Sequence, residues 1–133
     1  MSDERLVEIW TDGDIVTARS EGRAIALELG FSATETTLIS TAISELARNI
    51  LEYAGNGRIL IRVEEAGGRR GIVIEASDEG PGIDDIERAV QDGYSTGGNL
   101  GLGLPGARRL LDELEVSSEP GKGTLVVGKK WRP

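Results

Sequence analysis

Glu45 and Asn49 stand four residues apart in ISELARNILEYAG, a run that is otherwise apolar with a helical period. One turn apart on a helix, their side chains share a face that flanks the stripe of Ile43, Leu46, Ala47 and Ile50. That puts them at the rim between core and solvent. The Glu45 carboxylate can accept a proton or orient a hydroxyl, and the Asn49 amide oxygen suits a hard cation such as Mg²⁺. Taken alone, the pair also fits a solvated helix face.

A second group lies in SDEGPGI, from Ser77 to Ile83. Asp78, at the end of a strand, can accept a hydrogen bond from an exocyclic amine of the kind adenine offers. Gly80 and Gly82 let the backbone approach a flat ligand, and Pro81 fixes the turn. A plain strand-to-helix turn would use the same residues. The third group is GGNLGLGLPGARRLLDEL, where Gly97, Gly98, Gly101, Gly103 and Gly106 precede a helix. Converging backbone N–H groups and a helix N-terminus can hold phosphate without a basic residue. The stretch lacks the Lys-Ser/Thr of a Walker loop and does not sit in the first turn of a βαβ unit. Arg108 and Arg109 either assist there or are exposed helix residues. In EPGKGTLVV, Thr124 can offer a hydroxyl to a buried polar ligand edge, or can be simply a β-branched strand residue.

The elements that must carry these groups follow from periodicity. Leu6 to Trp10 predicts a strand with Val7 and Ile9 on one face. Asp14 is expected to cap a helix through Ile15, Ala18, Ile25 and Leu29, stopped by Gly30. The run from Phe31 predicts a second helix buried through Ile39, Ala42, Ile43, Leu46 and Ile50, with stops at Gly55 and Gly57. Two strands follow, with Ile59, Ile61 and Val63 on one face and Ile72, Ile74 and Ala76 on the other's matching face, joined through AGGRRG. Asp84 can cap a short helix through Ile86 and Val90. A helix from Ala107 to Leu114 and strands near Glu115–Ser118 and Gly123–Trp131 complete the chain. Adjacent strands with few helices predict a two-layer α/β sandwich, a mixed sheet with helices on one face.

Composition narrows the function. The 133 residues make one domain, 1–133, large enough for a core without staples. A net charge of −8 and 4% aromatics argue against phosphate-backbone or base-stacking recognition of nucleic acid. No cysteine or histidine is present, which removes disulfides, thiolate or imidazole metal sites and phosphohistidine chemistry. The charged start, MSDERLVEIW, has no apolar signal core, and no run reaches membrane-spanning length. A soluble cytoplasmic protein is expected.

The order of the motifs is more specific than any one of them. Glu45-Leu46-Ala47-Arg48-Asn49, then Asp78-Glu79-Gly80-Pro81-Gly82, then Gly101-Leu102-Gly103-Leu104, then Gly121-Lys122-Gly123-Thr124 resembles the GHKL ATPase family. Tyr53 falls at the aromatic or histidine position that often ends the first motif, and Ile50 departs from the small residue usual after the asparagine. The resemblance implies the Bergerat-type ATP-binding fold and ATP with Mg²⁺ as cofactors. It implies that Asn49 holds the metal and that Glu45 is the base or polarises the attacking hydroxyl. It places Asp78 on the adenine amino group, with Gly80 and Gly82 beneath it and Thr124 in support. Gly101, Leu102 and Gly103 are the implied phosphate-binding turn, and Tyr94 to Leu100 a short lid.

Over nearly its whole length the chain is similar to small bacterial serine/threonine switch kinases of the RsbT type, through GDIVTAR, TTLISTAISELARNI and GLPGARRLLDEL. That similarity implies phosphorylation of STAS-domain antagonist proteins in a stress-sensing complex, followed by release and activation of a PP2C-type phosphatase upstream of a sigma factor. Two other readings stay open. One is an anti-sigma factor kinase that binds a sigma factor directly. The other is a nucleotide-binding adaptor without phosphotransfer, which would have no need of Glu45.

Overall fold

Two capping boxes start the two long helices. Thr11 is the N-cap of α1 (Asp12–Leu29). Asp14 sits at the third helical position, where its Oδ2 accepts from the amides of Trp10 and Thr11 at 2.8 and 3.0 Å. Asp14 is thus the returning acid of the box and not the cap expected from sequence. Ser32 opens α2 (Ala33–Tyr53): its Oγ accepts from the Glu35 amide at 3.1 Å, and the Ser32 N–H reaches Glu35 Oε1 at 3.4 Å. Gly30, as expected, ends α1 in the left-handed region with φ 89°.

The amides of Trp10 and then Thr11 hold the Asp14 carboxyl below its ordinary value of 3.8. A carboxylate depressed in the folded state stabilises above its unfolded value and loses that contribution as pH falls through the folded one. Asp14→Ala is therefore expected to lower the melting temperature at neutral pH. In melts followed by circular dichroism, the gap to wild type should narrow as pH drops below about 4.

The computed structural model describes residues 4–80, 104–119 and 121–132. The short helix expected after Asp84 and the lid expected over Tyr94 to Leu100 lie outside them. Five strands form one sheet: β1 (Arg5–Ile9), β2 (Gly57–Ala66), β3 (Arg69–Asp78), β4 (Glu113–Glu119) and β5 (Gly123–Trp131). Their order is β1-β2-β3-β5-β4.

The two-layer α/β sandwich stands, but every pairing among these strands is antiparallel, so the sheet is not mixed. The reason is which strand of the last hairpin docks. β5 carries the buried Val126 and lies beside β3, while β4 exposes Glu113, Glu115 and Glu119 and takes the edge. β3 and β4, which run the same way, are thereby kept apart. The β2–β3 turn is tighter than AGGRRG suggests: Ala66 already faces Arg69, and Gly67 and Gly68 turn the chain at φ 58° and 79°.

A third helix, α3 (Leu104–Leu110), stops short of Leu114. The Asp112 amide donates to the Lys129 carbonyl at 2.9 Å, and Leu114 pairs with Gly128 in the sheet. Pairing with β5 has captured residues whose spacing also fits a helix. The Gly57 stop moves too: α2 is capped by Ala54, and Gly57 begins β2.

The core lies between the helices and one sheet face. Ile9, Ile59, Ile61, Ile72 and Ile74 meet Ile25, Ile39, Ile43 and Leu46, each at most 1% exposed. Each such side chain contributes roughly 1.5–3 kcal/mol relative to exposure. On the other sheet face, Arg62 pairs with Glu75 at 2.8 Å and Lys129 with Glu64 at 3.1 Å. Val73 is 1% exposed on that face, between Arg62 and Lys129 in register. Among the described residues no helix is long and apolar enough to cross a membrane.

Candidate functional site

The buried stripe of α2 decides where Glu45 and Asn49 sit. Ile43, Leu46, Ala47 and Ile50 face the sheet, and the helix carries Glu45 in with them. Glu45 is only 8% exposed, deeper than the rim position its spacing predicts, whereas Asn49 is half-buried. The two oxygens of Glu45 are treated differently. Oε1 accepts from Arg48 Nη1 at 2.7 Å, and Oε2 is buried with no hydrogen-bond partner among the described residues. A buried polar atom left unpaired costs about 1–3 kcal/mol, so its persistence calls for a reason beyond stability.

The second part of the site forms where β3 ends. Asp78 is registered opposite Thr124 of β5. Asp78 Oδ1 accepts from the Gly80 amide at 2.9 Å, a local turn that fixes the carboxylate plane. Ser118 of β4 donates from Oγ to the Gly123 carbonyl at 2.9 Å and lies 3.0 Å from Thr124 Oγ1. The two hydroxyls and the carboxylate thus line one end of the sheet.

Close backbone approach makes this corner possible. A Cβ on Gly57 would come within 2.4 Å of the Ser77 carbonyl and 2.8 Å of Ile50 Cγ2. One on Gly80 would come within 2.6 Å of Ala54 Cβ. The last turn of α2, through Ile50 and Ala54, is therefore seated directly against the turn after Asp78. Asp78, Gly80 and Thr124 come together, and the helix carrying Asn49 and Glu45 leads into the same corner. Gly82, Gly101, Leu102 and Gly103 lie outside the described residues. Arg108 and Arg109 are exposed on α3.

Three contributors were missed from sequence. Arg48 was signalled by its acid three residues earlier, Ser118 by its place across the turn from Thr124. By sequence Gly57 is only a helix stop, since its close packing has no local signature.

The donor set also bears on Mg²⁺. Among the described residues no group of three or more His, Cys, Asp or Glu gathers around a common point. Asn49 offers one hard side-chain oxygen, a turn away from Glu45 on the same helix face. So small a set fits an ion that keeps most of its ligands as water and substrate phosphate, which is how Mg²⁺ behaves.

Comparison with known proteins identifies the family. The family model described as histidine kinase-, DNA gyrase B-, and HSP90-like ATPase matches residues 34–130. The chain is 50% identical over 131 residues to the serine/threonine-protein kinase RsbT of Bacillus subtilis (strain 168), covering 98% of each chain. It is 38% identical over 118 residues to an anti-sigma F factor of Thermoanaerobacter sp. (strain X514), covering 86% of this chain and 82% of the other. Among solved structures, the RsbU and RsbW domains of a Mycobacterium tuberculosis protein superpose with a TM-score of 0.64 at 21% identity. That match covers 97% of this chain and 33% of the other. A mycobacterial sensor histidine kinase, MprB, superposes with a TM-score of 0.56 at 18% identity, covering 98% of this chain and 99% of the other. These two share the fold.

Proposed function

The chain belongs to the histidine kinase-, DNA gyrase B-, and HSP90-like ATPase family and, within it, to the RsbT-type serine/threonine kinases; from that premise we propose how its residues work. The reaction is transfer of the γ-phosphoryl group of ATP to a serine or threonine hydroxyl on a partner protein. The hydroxyl oxygen bonds to the γ-phosphorus and its proton passes to Glu45. The bond from that phosphorus to the β–γ bridging oxygen breaks, and its electron pair leaves on ADP. Positioning and charge stabilisation dominate such a transfer, so few side chains are needed.

Asp78 accepts from the adenine amino group, with Gly80 beneath it and Thr124, steadied by Ser118, alongside. Gly82, Gly101, Leu102 and Gly103 complete the nucleotide site. Asn49 would hold Mg²⁺, which when bound with the nucleotide supplies charge neutralisation for the phosphates. The observation that carries phosphotransfer over simple nucleotide binding is the unpartnered, buried Oε2 of Glu45. A protein that only bound nucleotide would gain nothing from it.

The acceptors are STAS-domain antagonist proteins of a stress-sensing complex. Their phosphorylation releases the kinase to activate a PP2C-type phosphatase in the cytoplasm. A phosphate adds about −1.5 to −2 charges at neutral pH. Placed at an interface with a protein of net charge −8, that repulsion favours release. Similarity to an anti-sigma F factor supports a second reading, direct binding of a sigma factor, and a pull-down with purified sigma factor separates the two.

The deciding experiment is transfer of γ-phosphate label from Mg-ATP to a purified STAS-domain partner. Wild type should label it, and Asn49→Ala should lower the rate on the order of 10²-fold or more while remaining folded, as loss of a group that positions transferring phosphate does. Nucleotide binding without transfer to any STAS or other protein acceptor would mean an adaptor, and the kinase assignment would be withdrawn.

A further inference from the structure

We infer that Arg48 is a positioning residue for phosphotransfer: by holding Oε1 of Glu45 it dictates that Oε2 is the oxygen presented to the acceptor hydroxyl. The inference rests on the reading of Glu45 as the group that takes the hydroxyl proton. Arg48 lies one turn beyond Glu45, and its Nη1 meets Oε1 at 2.7 Å. The pair is asymmetric in a telling way. The Arg48 side chain is 44% exposed and that of Glu45 only 11%.

An arginine so exposed has water as an alternative partner and gains little from a helix-surface ion pair. The carboxylate has no such alternative. Burial removes water from Oε2, and Arg48 supplies a partner to Oε1 alone. Without that anchor the two oxygens become equivalent, and rotation about the last side-chain bond, a broad torsion, would spread the carboxylate plane over many orientations. A guanidinium on Oε1 restrains that rotation and leaves Oε2 as the oxygen without a partner. Arg48 itself touches neither nucleotide nor acceptor in this scheme; its effect passes through Glu45.

The test compares Arg48→Met, which keeps the aliphatic stem, and Arg48→Lys, which keeps a single donor, with wild type in label transfer to the STAS-domain acceptor. Arg48→Met should lower kcat about 10–100-fold, the scale of a reacting group displaced by an ångström or so. KM for the acceptor and nucleotide affinity should stay within about twofold, since both depend on residues Arg48 does not touch. Arg48→Lys should recover a large part of kcat.

The sharper readout is coupling. In a Glu45→Gln background, Arg48→Met should have almost no further effect on kcat, because its influence has lost its target. Full kcat in Arg48→Met would overturn the inference, as would a loss confined to acceptor KM or an undiminished loss in the Glu45→Gln background. Glu45→Gln alone separates the failures. If it transfers at the wild-type rate, the role of Glu45 falls and this inference with it. If it is inactive while Arg48→Met is fully active, only the role of Arg48 falls.

Discussion

Glu45→Gln is expected to transfer phosphate on the order of 10²–10³-fold more slowly than wild type, the usual worth of a positioned general base, while binding nucleotide normally. The substitution is nearly isosteric, and the amide oxygen can still accept from Arg48 as Oε1 does at 2.7 Å. Helix packing around Ile43, Leu46 and Ala47 is untouched. What disappears is the ability of the unpartnered oxygen to take a proton. Two effects on stability oppose each other: the ion pair with Arg48 is lost, and an unpaired buried charge gives way to a neutral amide NH2, also unpaired but less costly to desolvate. The first is small, because Arg48 is half-exposed and readily hydrated. Stability should therefore be unchanged or slightly higher in the variant, the signature of a group kept for function. Single-turnover label transfer and equilibrium nucleotide binding, measured on the same preparations, check both halves. A wild-type transfer rate would make Glu45 a structural residue, and a parallel loss of binding would make it part of the nucleotide pocket instead.

How far the sequence anticipates this molecule depends on whether a feature is local. The stripe of Ile39, Ile43, Leu46 and Ile50, the alternation in β2 and β3 and the stop at Gly30 are local, and the structure has them where the periodicity puts them. The position of β5 between β3 and β4 is not. It follows from pairing between residues as distant as Gly71 and Trp131, and the pairing of β4 with β5 takes Asp112 and Leu114 from the expected helix. Val73 is polar-phase by alternation yet buried, on a central strand where its register neighbours are Arg62 and Lys129.

The candidate site divides the same way. Asp78, Gly80 and Thr124 were recognisable by motif, and the fold brings them together. That Glu45 is buried and half-satisfied could not be read from a helix wheel, which places it at the rim. The partnership with Arg48 was visible as a spacing, but acid and base three residues apart are so common on helix surfaces that the spacing alone carried no weight.

Gly123→Ala should disrupt both fold and site, and a neighbouring glycine shows why. Gly121, at φ 81°, has nothing within 4 Å of where a Cβ would stand. Alanine there meets only the left-handed backbone penalty, about 1–2 kcal/mol. Gly123, at φ 114°, adds a collision: its Cβ would fall 2.2 Å from the Asp78 carbonyl oxygen and 2.8 Å from Glu79 Cα. Both neighbours are backbone, so no rotamer change relieves the contact. Either β5 shifts away from β3 at its first residues, or the Asp78 turn moves.

The register that sets Asp78 opposite Thr124 is lost in both cases, together with the Ser118 bond to the Gly123 carbonyl. The expected loss of stability is about 3–5 kcal/mol, the range of severe backbone and packing lesions. It corresponds to a melting temperature lower by roughly 10 °C or more for a domain of this size. Nucleotide affinity should fall well beyond what the unfolded fraction explains. Gly121→Ala should melt only a few degrees below wild type, on the order of 3–6 °C, and bind nucleotide as wild type does. Thermal melts and nucleotide titrations of the two alanine variants side by side test the argument. Equal effects would mean that φ alone governs this turn, and the close approach of β5 to Asp78 would then have no part in shaping the pocket.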